Sequence, residues 1–153
     1  DAVASGSGAL MHGQTYNAHP VGCAAALAVQ HVIREQDMLG RVKEAGVRLM
    51  QLLDARFGKH PNIGDIRGRG LLVAMELVAD RETKSPLDPA LAMHRRAKAD
   101  AFDRGLLIYP SGGTIDGRSG DHILLAPPYN VTDEELDAIV DLLAQTIDAV
   151  LPS

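Results

Sequence analysis

Ile63-Gly64-Asp65-Ile66-Arg67-Gly68-Arg69-Gly70-Leu71-Leu72-Val73-Ala74-Met75-Glu76-Leu77-Val78 is the stretch that decides the fold. Ile63 to Arg67 and Leu71 to Val78 read as two strands, and the glycines of Gly68-Arg69-Gly70 supply the freedom that a tight turn or bulge requires. Strands joined by so little chain pair antiparallel, as a hairpin.

Upstream, Met38 to Phe57 carries Leu39, Val42, Val47, Met50 and Leu53 at mixed three- and four-residue spacings, the pattern of one buried helix face, and stops at Gly58. An earlier helix is expected to begin near Pro20, because a proline at the first helical position gives up an N–H that has no partner there. It carries Cys23, Ala24, Ala25, Ala26 and Ala28, small enough for another backbone to pack close, and Cys23 reads as a small buried hydrophobe.

Downstream, Asp88-Pro89 reads as an N-cap and first-turn proline opening a helix to about Asp103, which Arg104-Gly105 stops. Leu106 to Tyr109 is a short apolar strand, Ser111 to Gly120 a glycine-rich loop, and His122 to Ala126 a strand closed by Pro127-Pro128. Thr132 and Glu135 stand at capping-box spacing, and Leu136, Ile139, Val140, Leu143, Ile147 and Val150 follow at helical period. The order of two helices, a hairpin, a helix, two strands and a helix predicts an α+β fold. Its small, mostly antiparallel sheet is expected to be covered by helices on one face.

Composition narrows the function classes. At 153 residues and 46% hydrophobic, the chain is sized for one compact domain or the end of a larger one. A net charge of −5 with acids and bases interspersed offers no basic stripe for a phosphate backbone, so nucleic acid is not an expected partner. No apolar run reaches the roughly 18 to 20 residues that span a bilayer, and no membrane is expected. One cysteine makes no internal disulfide, which suits a reducing compartment and a cytoplasmic location. The start at Asp1-Ala2-Val3-Ala4, without Met, reads as a helix entered midway and predicts a truncated chain.

The candidate chemistry lies in loops. Thr15, with backbone amides just ahead of the helix at Pro20, forms a reasonable anion site, although a cap or a plain loop explains the same residues. Arg118, in Asp116-Gly117-Arg118-Ser119-Gly120-Asp121, can swing on its glycines to hold a carboxylate in bidentate fashion. An exposed arginine, or one paired with Asp116 or Asp121, is the competing reading. Arg67 and Arg69 are assigned to structure, one guanidinium tying the hairpin to Glu76 or a carbonyl. His12, His19 and His122 lack metal-ligand spacing, so no metal site is expected.

The run His12-Gly13-Gln14-Thr15-Tyr16-Asn17-Ala18-His19-Pro20-Val21-Gly22-Cys23-Ala24-Ala25-Ala26-Leu27-Ala28 resembles the segment of class III aminotransferases that follows the cofactor lysine. Three further pieces fall in the family's order: Ile66-Arg67-Gly68-Arg69-Gly70-Leu71-Leu72 before a strand ending in Glu76, then Gly105-Leu106-Leu107-Ile108, then Gly120-Asp121-His122-Ile123 with Ala126-Pro127-Pro128 and a capped final helix.

The resemblance implies a fold-type I enzyme dependent on pyridoxal phosphate. Residues 1–35 would end its large cofactor-binding domain and include the dimer-interface loop, and residues 36–153 would form its C-terminal small domain. Thr15 would bond the phosphate held by the other subunit of a homodimer or higher oligomer, helped by the backbone at Gln14. Arg118 is the best match to the arginine that holds the substrate carboxylate. It departs from the family, whose shorter loops place that arginine directly after the strand from Gly105 and three residues before the glycine matching Gly120. Leu124 stands where some relatives carry theirs.

The Schiff-base lysine lies upstream of this segment in the family, and Lys43, Lys59, Lys84 and Lys98 occupy helices or surface turns. The chain alone is therefore expected to have no catalytic residue and no activity. The parent would move an amino group from an amine or omega-amino acid to a 2-keto acid such as pyruvate or 2-oxoglutarate. An aminomutase, decarboxylase or racemase on the same scaffold, or a non-catalytic interaction domain derived from one, are the alternatives.

Overall fold

A computed structural model describes residues 1–151. The chain divides into two compact units, Asp1–Asp37 and Met38–Ser153. The first holds α1 (Ala2–Ser5) and α2 (Pro20–Glu35), with Pro20 at the first helical position as its missing N–H dictates. Neither helix buries a residue, and Cys23 is exposed rather than buried. The physical reason is size: a unit of this length offers no second layer against which a small-residue face can pack.

The second unit contains α3 (Met38–Phe57), β1 (Ile63–Arg69), β2 (Leu72–Asp80), β3 (Ser85–Pro86), a 3₁₀ turn (Pro89–Leu91), α4 (Met93–Asp103), β4 (Tyr109–Gly112), β5 (Asp121–Leu125) and α5 (Asp133–Val150). The sheet runs β1-β2-β5-β4 with every pairing antiparallel, and β3 pairs with β2 at Val78–Asp80. Val73, Met75 and Leu77 of β2 and Ile123 of β5 are fully buried, whereas the alternate positions Leu72, Ala74, Glu76, His122 and Leu124 are half-buried or exposed. This period of two marks a sheet covered on one face. Leu49, Leu53 and Phe57 of α3, Ala97 and Ala101 of α4, and Leu136, Leu143 and Ile147 of α5 complete the core. The fold is the α+β class expected.

The hairpin turns where its glycines stand. Arg69 pairs with Leu72, so Gly70-Leu71 makes the turn, with Gly70 at φ +58°. Gly70 also lies against Gly46 of α3: a β-carbon on Gly46 would come within 2.5 Å of the Gly70 Cα. Hydrogen at both positions lets helix and turn approach this closely. Across α3 and α5, Arg48 grips both oxygens of Asp137 at 2.7 and 2.6 Å, and Arg56 reaches Asp148 at 2.8 Å. Arg41 donates to the Val131 carbonyl at 2.5 Å and pairs with Asp133 at 3.3 Å. These groups are half-exposed and contribute register more than stability.

Two elements differ from the sequence reading. Asp88 does cap, accepting the Ala90 N–H at 2.9 Å, but the helix it starts is one 3₁₀ turn. Ala92 then adopts φ +44°, and α4 begins afresh at Met93. The strand expected at Leu106 to Tyr109 forms at Tyr109–Gly112 instead, because pairing with Asp121–Leu125 fixes its register. α5 carries the full capping box, Thr132 Oγ1 accepting the Glu135 N–H at 3.2 Å and Glu135 accepting the Thr132 N–H at 2.8 Å.

Gly→Ala in a helix interior ordinarily stabilises by about 1 kcal/mol. At Gly46 the obstacle is the Gly70 backbone, so overpacking of about 1–3 kcal/mol wins. Gly46→Ala is expected to lower the midpoint of urea unfolding without altering its slope.

Candidate functional site

Thr15 stands at the corner of a turn closed by Asn17 N–H donating to the Gln14 carbonyl at 3.0 Å. A second turn follows, His19 N–H donating to the Tyr16 carbonyl at 3.1 Å, with Ala18 at φ +60°. The Tyr16 and His19 rings meet edge to face with centroids 6.1 Å apart. These two turns deliver the chain to Pro20, where the 16-residue α2 leaves the Val21 and Gly22 N–H groups without intrahelical acceptors. Gln14 and Thr15 are exposed. A free hydroxyl and open amides at the positive end of a helix are the donor set that a phosphate dianion requires, so these residues fit a phosphorylated cofactor.

Arg118 lies on the connection from β4 to β5. There the segment continues the hairpin through hydrogen bonds of its own. Thr114 N–H donates to the Gly120 carbonyl at 3.3 Å, Ile115 N–H to that of Ser119 at 3.0 Å, and Gly117 N–H to that of Gly113 at 3.0 Å. Asp116 closes the tip by accepting the N–H groups of Arg118 at 2.9 Å and Ser119 at 2.6 Å. Asp116 thus holds the backbone of Arg118. Among the described residues the exposed guanidinium enters no ion pair, leaving its fork available for an external carboxylate.

Asp121, the other suggested partner of Arg118, is engaged elsewhere. It is buried, and its Oδ1 lies 2.5 Å from His94 Nδ1 and accepts the His94 backbone N–H at 3.1 Å. Sequence reasoning passed over His94, because only the fold shows α4 starting afresh after Ala92 without a capping side chain of its own, so that its open amides take an acceptor from another element. Arg67 meets Asp65 at 2.6 Å and Glu76 at 3.7 Å, the structural role assigned to it. All four lysines are exposed. Among the described residues no three His, Cys, Asp or Glu side chains could share a metal ion, and no helix is long and apolar enough to cross a membrane.

The class-III aminotransferase profile matches residues 1–147. An aminotransferase of Gibberella zeae is 44% identical over 148 residues, covering 96% of this chain and 29% of the relative. Among solved structures, a Bacillus anthracis aminotransferase superposes with a TM-score of 0.82 at 33% identity, covering 92% of this chain and 31% of that one. A PLP-bound amine transaminase from an uncultivated Pseudomonas species gives 0.81 at 33% identity, covering 98% and 33%. The chain belongs to the class-III aminotransferase family, and its fold is that of the C-terminal portion. It spans about three tenths of the length of the curated relatives it matches.

The N–H groups of Ser119 and Arg118 that donate to Asp116 hold its carboxyl below the usual carboxylate range. A lowered folded value contributes order above the unfolded value of about 3.9 and loses it as pH falls through the folded value. An NMR titration is expected to place the Asp116 midpoint below about 3.9; a midpoint at or above it would remove Asp116 as the organiser of the tip.

Proposed function

We propose that this chain is the C-terminal part of a pyridoxal-phosphate-dependent transaminase that moves an amino group from an amine or omega-amino acid to a 2-keto acid. The observation that carries the reading is the family match along residues 1–147, within which Thr15 and Arg118 both leave their hydrogen-bonding groups to solvent. The cofactor would supply an electron sink for the substrate carbon that loses its proton. Thr15 Oγ1 and the backbone at Gln14 donate to its phosphate, with the α2 amides adding positive potential. In the homodimer this reading implies, that phosphate belongs to the other subunit's site.

Arg118 takes the carboxylate of the keto acid. Its planar fork matches two oxygens at once, and the Asp116 turn keeps the backbone beneath it fixed, so less freedom is lost on binding. All four lysines are exposed, and none is assigned the Schiff-base role, which supports reading the chain alone as inactive.

In the whole polypeptide, Thr15→Ala removes a charge-assisted hydrogen bond of about 1.5–3 kcal/mol, so cofactor affinity should fall on the order of tenfold or more in an equilibrium titration. Unchanged affinity would exclude Thr15 from the phosphate site. Arg118→Ala should raise the KM for the keto acid by a similar order, since it withdraws a bidentate partner. An unaltered KM would return Arg118 to the solvent-exposed role.

A further inference from the structure

The segment that carries Arg118 leaves the sheet at Gly112 and re-enters it at Asp121, and these two residues pair across the β4–β5 ladder. Both ends meet the first turn of α4 at a single residue, His94. On one side, a β-carbon at Gly112 would fall 2.4 Å from His94 Nδ1, so only glycine lets β4 pass so near the ring. On the other, Asp121 Oδ1 lies 2.5 Å from the ring Nδ1 of His94, which donates to it in the Nδ1–H tautomer, and accepts the His94 backbone N–H at 3.1 Å. The carboxylate caps from a distant strand a helix whose own N-cap residue, Ala92, cannot do so. Asp121 is 4% exposed, so its carboxylate is shielded from competing water, while the His94 ring is partly exposed.

Beyond this clamp the hydrogen bonds that hold the connection, among the described residues, are its own and those of the Asp116 turn, and residues 114–118 are exposed. The direction in which the tip projects is therefore set at its base. We propose that His94 and Asp121 are positioning residues for Arg118. They anchor the β4–β5 connection to α4, so that the guanidinium is presented to an acceptor carboxylate in one orientation. The inference rests on the carboxylate-binding reading of Arg118 and assigns a role to two residues that do not themselves touch substrate. Misplacing a binding group by about 1 Å is enough to cost up to two orders of magnitude in rate.

The test uses the whole polypeptide loaded with cofactor and compares a keto acid with an aldehyde acceptor that lacks the carboxylate. A merely structural defect lowers kcat/KM for both acceptors together. Loss of positioning lowers their ratio. His94→Ala is expected to reduce the keto acid preference on the order of tenfold. His94→Asn, whose side-chain amide can donate in place of Nδ1–H, should restore most of it, and in an Arg118→Ala background His94→Ala should have no further effect. Hydrogen exchange at the Ile115 and Gly117 amides should quicken in His94→Ala and return toward normal in His94→Asn. If Arg118→Ala lowers the ratio while His94→Ala moves neither ratio nor exchange, the positioning role is wrong. If Arg118→Ala leaves the ratio unmoved, the carboxylate reading fails and takes this inference with it.

Discussion

Burial of one face of the five-strand antiparallel sheet is the constraint on which the second unit depends. β2 lies between β1 and β5, and its inward residues Val73, Met75 and Leu77 have no accessible surface. Each such side chain gains roughly 1.5–3 kcal/mol from leaving water, which is why the alternation along β2 cannot slip by one residue without inverting the core. α3, α4 and α5 supply the covering layer, and the arginine–aspartate pairs between α3 and α5 set where along that layer the last helix rests.

The candidate carboxylate site inherits its geometry from this core. β5 is fixed by its pairing with β2, β4 by its pairing with β5, and the connection between them projects from that rigid edge. Asp121 is the junction: the inward-facing first residue of β5, it faces the start of α4 and caps it. A buried carboxylate is costly without partners, and here two N–H donors of one histidine stand within bonding distance. The same contact that satisfies α4 also fixes the base of the Arg118 connection. Under the proposed role of Arg118, structural and functional demands converge on one residue pair.

Local rules account for what was legible in the sequence. The Ile63–Val78 hairpin, the Pro20 start and the Thr132–Glu135 capping box depend on neighbours in the chain, and each formed where its residues stand. The misses are places where a distant partner decides. Asp88 has the chemistry of a cap, but Ala92 turns left-handed and α4 takes its cap from β5. Tyr109–Gly112 became a strand because β5 was there to pair with it, although proline and glycine argue against strand in isolation. Cys23 reads as buried from its alanine neighbours, yet a helix buries a face only where another layer lies against it. Thr15 and Arg118 are proposed from spacing and family resemblance; His94 required the fold.

The most direct test of the account is a crystal structure of the whole polypeptide with pyridoxal phosphate and a non-reacting carboxylate analogue of the keto acid. The account predicts Thr15 Oγ1 within about 2.5–3.0 Å of a phosphate oxygen and a bidentate contact from Arg118 to the carboxylate. A phosphate bound entirely by other groups, with Thr15 still facing solvent and Arg118 turned away from the analogue, would contradict it.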